Sequence, residues 1–535
     1  MSGISPFTYT PQLADWLRIL PELCLLTAVF LTLLADLALP AGRKPWLAVV
    51  GFLGVVASAV SLVYVSTLNG DTSAFYGLVS MDGASIFASA IILFALGAGL
   101  LFSPGYLERQ GLSREGEYYA LMQVSALGMM LMASAGSLMV VFVGLETLSL
   151  ALYVLSALPQ TRRRAQEAGM KYFILSSFAS AFLLYGIALT YGAIGATRFV
   201  DISVFLRSHQ ALTSEGFGPL LLVGMGLMIV GFSFKVSAVP FQSWTPDVYT
   251  GAPTPVTAFM SVGTKMAAFA AIVRVFVVAL SSQTSRWENV IWVIAALTMV
   301  FGNLLAVSQR DVKRMLSYSS VANAGYILVA VATPTTRATA SLLIYLLTYA
   351  VANVGAFGVV ALVERNDGRG VALDDFAGLS RRNPALAAVM AVFLFSLAGI
   401  PPTAGFLGKW VVFYAAIVGG QISLAIIGVL ASLLGMYYYL RVVWAMYFVE
   451  PQAHGMISAP EPLPERVAVA AGVGEESEPV AEPAPVVRQT LAPSIAMPLG
   501  YRIGLSVCAV LTALFIVVSS GFDTFAQLAV QSLLR

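Results

Sequence analysis

Charge is the scarcest ingredient of this chain. Only 10% of its 535 residues are Asp, Glu, Lys or Arg, against about 25% in an ordinary soluble domain, while 59% are hydrophobic. A mean hydropathy of +0.85 with so little charge excludes a water-soluble globule. The net charge is +2 and no Lys/Arg run is long enough to build a basic groove, so nothing points to a nucleic-acid partner. Cysteine and histidine are nearly absent, two of each. Cys24 and Cys508 lie in apolar stretches and His209 and His454 in polar connections, so no Cys/His pair stands at a metal-ligand spacing. The thiols read as buried and inert. Also missing are a dinucleotide fingerprint, haem ligand pairs, iron–sulfur cysteine sets and a catalytic triad. The stretch TAGFLGKW fails as a phosphate-binding loop, because Thr403 stands where the first glycine belongs and Trp410 where Ser/Thr should follow. Before Arg18 there is no basic residue and no small-residue cleavage site, so the first apolar segment reads as a retained span.

Long apolar runs are what the chain has in abundance. Runs of about 20 residues, enough to cross roughly 30 Å of hydrocarbon, recur about fourteen times between residues 19–39 and 502–526. They are continuous rather than alternating, which favours helices over barrel strands. The expectation is an all-α polytopic membrane protein of about 14 transmembrane helices. Fourteen Lys and Arg residues fall in the loops after spans 1, 3, 5, 9 and 11, among them Arg43, Arg109, Arg162, Lys313, Arg365 and Arg369. Loops after even-numbered spans hold about four, Arg198, Arg207, Arg286 and Arg337. The positive-inside rule makes the first set cytoplasmic and puts both termini on the periplasmic side. A Pro/Glu-rich stretch over 450–500, with seven Glu against Arg466 and Arg488, reads as a flexible cytoplasmic linker.

An ionisable residue in mid-span costs roughly 2.5–3.5 kcal/mol on insertion scales, so each one needs a reason. Glu146, in VVFVGLETLSLALYVL, lies near the centre of span 5, and Lys265, in TAFMSVGTKMAAFAAIV, lies well inside span 8. Lys171 begins span 6 and is equally placed to snorkel or to be buried, and Lys235 at the end of span 7 has the same two options. Glu22 and Asp36 in span 1 are ambiguous, whereas structural duty is favoured for Arg274 and Arg441.

Helix breaks add weight to Lys235 and to Lys409. SFKVSAVPFQSWTPDVYTGAP interrupts span 7 just past Lys235, and SLAGIPPTAGFLGKW interrupts span 12 just before Lys409. Proline leaves a carbonyl unpartnered, which a membrane tolerates only beside protein or a wet cavity. Five spans separate the two breaks, and five is odd, so matching halves must face opposite ways. That is the arithmetic of an inverted repeat with broken helices at its binding sites. The expected layout is helices 1–3 over 1–117, a first repeat of helices 4–8 over 118–280, a second of helices 9–13 over 281–449, the linker, and helix 14 over 501–535.

The motifs VGLETLSLALYVL, EAGMKYFILSSFASAFLLYG, GFSFKVSAVPFQSWTPDVYTGAPTPVTAF and GIPPTAGFLGKW resemble those of the antiporter-like subunits of respiratory complex I, most closely the N-type subunit of bacterial NADH:quinone oxidoreductase. The resemblance implies a proton-translocating module of the bacterial inner membrane with no cofactor of its own, while FMN, iron–sulfur clusters and quinone belong to partner subunits. Neighbours of M and K type are implied as partners. It also implies a proton relay through Glu146, Lys235, Lys265 and Lys409, with Lys171 matching a span 6 lysine. Gln242 departs from the pattern PFHxWTPDVY and cannot titrate, so bound water must serve there. A subunit of a multi-subunit cation/proton antiporter, built on the same fold, is the alternative. The magnitudes suit a relay: a swing of about 2 pH units in proton affinity is roughly 2.7 kcal/mol, and moving one charge through 100 mV costs about 2.3 kcal/mol.

Overall fold

The computed structural model describes residues 9–38, 44–68, 72–112, 114–158, 162–208, 218–365, 370–450 and 495–534. Most of the expected linker, 451–494, lies outside the described residues, as do Arg43, His209, Arg369 and His454. Helix α1 (Leu13–Arg18) leads into α2 (Leu20–Ala38) and α3 (Trp46–Ser66). A two-stranded antiparallel ribbon, β1 (Ser73–Ala74) with β2 (Val79–Ser80), precedes α4 (Gly83–Gln110). Next come α5 (Glu115–Ala133), α6 (Leu138–Ala157), α7 (Arg163–Ile194), α8 (Phe199–Ser208), α9 (Gly218–Val236), α10 (Trp244–Gly251) and α11 (Thr254–Ile272), which continues as a π-helical segment to Ala279. The rest are α12 (Thr284–Val307), α13 (Val312–Val331), α14 (Thr336–Val363), α15 (Leu379–Arg382), α16 (Pro384–Ala398), α17 (Ala404–Val418), α18 (Ile422–Phe448) and α19 (Leu499–Leu534).

Among the described residues, ten helices are long and apolar enough to cross a membrane, which makes this an all-α polytopic membrane protein. The other expected crossings fall on α5, α13, the pair α16 and α17, and α19, which are shorter, more polar, or apolar over only part of their length. Burial sorts the bundle. The apolar stretches of α11 and α14 are 94% and 89% buried, whereas those of α2, α7, α12 and α18 are only 33–39% buried. The first two therefore lie in the interior, and the others present Phe30, Leu34, Phe178, Leu297, Leu430 and Leu433 outward, as suits surroundings of lipid rather than water.

Both expected breaks are present, and both have the same local cause. At the end of α9, Ser237 takes the left-handed conformation (φ 66°). Its N–H donates to Phe234 O (3.0 Å) and that of Ala238 to Ser233 O (2.8 Å). At the end of α16, Gly399 does the same (φ 82°), its N–H donating to Ser396 O and that of Ile400 to Phe395 O, each at 3.0 Å. This paired 5→2 and 6→1 closure is the Schellman stop, and proline follows within three residues in each case. Serine in place of glycine is strained there at roughly 1 kcal/mol or more, and Ser237 is held by Thr245, which donates to its hydroxyl (2.6 Å).

Arg274 and Arg441, for which structural duty was favoured, are accounted for, and Asp36 and Arg109 also have partners. Arg274 is 4% exposed, donates to Asp82 at 2.8 and 2.9 Å and to Ala133 O at 2.8 Å, while Asp82 caps α4 through Ser85 N (2.9 Å). Arg441 donates to Val307 O (3.1 Å) and Gln309 O at the end of α12. Asp36 pairs with Lys44 at 2.7 Å. Arg109 covers the last carbonyls of α14, Ala361 O and Leu362 O, and Gln110 meets both Arg162 and the carbonyl of Arg365, so these basic loops share one end of the bundle.

Arg274→Met leaves Asp82 buried without its partner and is expected to cost about 3–5 kcal/mol, read as a lower thermal unfolding midpoint in detergent. Adding Asp82→Asn should recover much of that loss; a double variant as unstable as the single one would place the cost elsewhere.

Candidate functional site

The broken helices expose main-chain carbonyls in the interior, and lysines meet them. An α-helix ends with four carbonyls that lack an intrahelical donor. In α9 the Schellman turn takes the first two, the Trp244 indole also donates to Phe234 O (3.0 Å), and the ammonium of Lys265, coming from α11, donates to Val236 O (3.3 Å). In α16 the turn again takes the first two, and Lys409, from α17, donates to Leu397 O (3.0 Å) and Ala398 O (2.9 Å). A cation at a helix C-terminus also meets the negative end of the helix dipole. Gly399 is required twice over: by its φ, and because a Cβ there would stand 2.9 Å from Lys409 Cδ.

Each of the three span lysines is enclosed. Lys235, Lys265 and Lys409 are 2%, 0% and 7% exposed. Lys235 donates to the Ser149 hydroxyl (2.7 Å) and more weakly to Tyr172 OH (3.4 Å). Ser149 lies one turn beyond Glu146 on α6, and Glu146 itself makes no ion pair with Lys235 within 4.0 Å. One Glu146 carboxylate oxygen is buried without a hydrogen-bond partner in the protein, although the two residues interact electrostatically. Lys265 also donates to Ser320 O (2.6 Å), and Lys409 to Ser432 Oγ (2.8 Å), with the Tyr326 ring 5.1 Å away.

A polar seam joins Lys265 to Lys409. Tyr349 donates to Ser320 Oγ (2.8 Å), and Tyr345 to Asn323 Oδ1 (2.6 Å). Tyr349, Tyr345, Asn323 and Lys409 together line a cavity of about 10 Å³, the room one water molecule needs. Farther out, Asn323 reaches Ser319, which bonds Tyr439, while Asn303 joins Tyr438 to Tyr326. Sequence reading missed this seam. Its signal was there in SYSSVANAGY, where Ser317, Ser319, Ser320 and Asn323 put too many polar groups on a span for a merely apolar one.

Other residues lie apart from this seam. Lys171 is 40% exposed and pairs with Glu167 (2.6 Å) and Asp247 (2.8 Å), and Asp247 pairs in turn with Arg314 (2.9 Å). It therefore lies outside the enclosed set. Lys313, counted among the loop residues, is instead the second residue of α13, is 2% exposed and faces Glu364. Glu22 is 3% exposed, and neither of its carboxylate oxygens has a partner in the protein. The segment WTPDVY turns out to be a mount: Trp244 stacks between Tyr172 (4.8 Å) and Phe234 (5.3 Å), Thr245 holds Ser237, and Asp247 ties α10 to α7 and α13. Gln242 lies in the turn just before this mount, with its side-chain oxygen buried and unpartnered in the protein.

Fold and site together define a class, the polytopic membrane proteins whose buried lysines sit beside interrupted helices. Residues 135–435 match the family described as "NADH:quinone oxidoreductase/Mrp antiporter, TM". The chain belongs to that family. It is 44% identical to the NADH-quinone oxidoreductase subunit N of Trichlorobacter lovleyi over 431 residues, 80% of this chain and 87% of the relative. A chain of respiratory complex I from Thermus thermophilus with bound aureothin is 30% identical with a TM-score of 0.71, over 94% of this chain and 97% of that one. A chain of the Mrp complex from Dietzia sp. DQ12-45-1b shares the fold, with a TM-score of 0.76 at 22% identity over 98% of this chain and 100% of that one.

Gly399→Ala is expected to push the Lys409 side chain off Leu397 O and Ala398 O and to cost about 1–2 kcal/mol for the left-handed backbone alone. Thermal unfolding in detergent separates the two effects. The double variant with Lys409→Ala should recover the part due to the clash, and no recovery would assign the whole loss to the backbone.

Proposed function

We propose that this chain is a proton-translocating membrane-arm subunit of an NADH:quinone oxidoreductase, coupling quinone reduction elsewhere in the complex to proton movement through its own interior. The observation that carries the proposal is the seam in which Lys265 and Lys409, each on the exposed end of a broken helix, are joined through Ser320, Tyr349 and a cavity of about 10 Å³. The subunit N relatives at 40–45% identity support it. The antiporter alternative rests on the family, whose description also covers the Mrp antiporter, and on likeness of fold at 22% identity.

In this reading the chain is the translocating part of an oxidoreductase complex and carries no redox group itself; FMN, iron–sulfur clusters and quinone belong to partner subunits, with M and K type subunits beside it in the bacterial inner membrane. The basic loops face the cytoplasm and both termini face outward. Helices 4–8 (118–280) and 9–13 (281–449) are inverted repeats, helices 1–3 and 14 flank them, and the linker lies on the cytoplasmic side. Matching neighbours support the repeat: α5 packs on α6 and α11 as α12 packs on α13 and α18, and α7 packs on broken α9 as α14 packs on broken α16 and α17.

Glu146, Lys235, Lys265 and Lys409 are the relay. Protons enter from the cytoplasmic side near Lys265 and Lys235; an ammonium keeps its proton more firmly the nearer a carboxylate lies, so closing and opening the Glu146–Lys235 approach holds and releases the proton on Lys235. Lys265 passes the proton along the seam, and Lys409 leads outward. Lys171 braces α7 against α10 from its exposed position. Gln242 holds water where a histidine would titrate.

In membranes that carry the assembled complex, Lys265→Ala is expected to lower protons moved per electron passed to quinone, and Glu146→Gln to slow turnover severalfold. Normal pumping in Lys265→Ala would overturn the relay, and unchanged turnover and pumping in Glu146→Gln would remove Glu146 from it.

A further inference from the structure

Lys313 and Glu364 form a second buried charge pair, at the end of the bundle that carries the basic loops. They are 2% and 4% exposed, with Lys313 Nζ 3.8 Å from Glu364 Oε2. Glu364 caps α14, where the carbonyl end of its own helix disfavours a carboxylate. Its partners come from other elements: Tyr106 of α4 donates to Oε1 (3.1 Å), and Thr254, the first residue of α11, donates to Oε2. The Lys313 ammonium spends its short contact on Ala252 O (2.8 Å), in the turn that leads into α11. The pair is thus slack between its two charges while each charge is firmly tied to the start of α11.

From that start, one face of α11 leads inward. Thr254, Thr257, Ser261 and Lys265 recur at intervals of three and four, which puts them on one side of the helix, and all four are 0% exposed. Eleven residues at 1.5 Å each make about 16 Å from Thr254 to Lys265. Midway, Asn353 of α14 donates to Ser261 Oγ (2.6 Å) and keeps its own Oδ1 fully buried with no partner in the protein. A buried acceptor in that condition is open to an ordered water.

We propose that the Lys313–Glu364 pair takes up protons at the basic end of the bundle and that the hydroxyl face of α11 conducts them to Lys265. One proton passes from water to the Glu364 carboxylate, weakening its hold on Lys313. The same charge then leaves along waters held by Thr257, Ser261 and Asn353 to the Lys265 amine, and Lys313 draws the carboxylate back to its charged form. The inference rests on the proton-translocating reading above and supplies its uptake site.

The test uses inverted membrane vesicles carrying the assembled complex, in which the basic face is accessible. Glu364→Gln keeps the shape and can still meet both hydroxyls, but cannot accept a proton. Proton uptake driven by NADH oxidation is expected to slow roughly tenfold or more, most at alkaline pH, and to recover when formate is added as a small diffusible proton carrier. Uptake at the parent rate at every pH, or a uniform slowing that formate does not relieve, overturns the proposal. If Glu364→Gln does not assemble, Thr254→Val, which keeps both charges and cuts the link to α11, carries the same expectation. Lys265→Ala measured in parallel separates the two readings. Normal pumping in that variant defeats proton translocation by this chain, whereas impaired pumping there beside intact uptake in Glu364→Gln defeats only the uptake site.

Discussion

A carbonyl left open inside a hydrocarbon layer has no water to turn to, and two helices of this protein end in that position. Leaving such a group unpartnered costs several kcal/mol, so the breaks persist only because donors arrive from elsewhere. A left-handed residue closes the first two carbonyls of each stop, and ammonium groups take up further ones: Lys409 on Leu397 O and Ala398 O, and Lys265 on Val236 O. The same need explains the lysines from the other side, because a buried ammonium wants oxygen ligands and the broken helices supply them without a full negative charge. Each feature would be unstable alone. Together they form an enclosed site for an ammonium that is held by neutral oxygens rather than by a tight ion pair.

The surrounding architecture serves that arrangement. α11 and α14, the most buried of the long apolar spans, carry Lys265 and Asn353 on the inside, and Tyr349 and Tyr345 of α14 meet Ser320 and Asn323 of α13 in the seam. Trp244, Thr245 and Asp247 show how a segment conspicuous in sequence can act through position: they fasten the half-helix α10, and so fix the turn at Ser237 that ends α9 and presents Val236 O to Lys265. Lys171 and Arg314 grip the same Asp247 from the more exposed side, where each pair is worth about 1 kcal/mol or less.

Much of this was legible beforehand. The apolar runs announced the helices, because a chain in lipid must satisfy its main chain within each span. Pro240, Pro401 and Gly399 announced the breaks, since proline cannot continue a helix and glycine alone adopts the left-handed stop freely. Glu146 and Lys265 stood out by the cost of their charge in mid-span, and Lys235 and Lys409 by the helix breaks beside them. Lys171 did not resolve, because a residue at the start of a span reads the same whether its side chain turns inward or toward water. Lys313 was misread for the same reason, sitting beside Arg310 and Arg314 in what looks like one basic loop. The seam went unseen because serine, asparagine and tyrosine are cheap enough in a span to carry no warning singly.

By itself, then, the sequence determined the class of the molecule, the positions of its helices and breaks, and the charges that needed explaining, all of which follow from local composition and from the penalty for polar groups in lipid. Only the tertiary structure decided partners. That Lys235 rests on Ser149 rather than against Glu146, that Lys265 reaches both a broken helix and Ser320, and that Lys313 is drawn in to face Glu364 all depend on helices distant in sequence lying side by side. Hydrophobic periodicity orients a helix toward the interior, but which polar atom it meets there is set by the rotation and depth at which its neighbours pack.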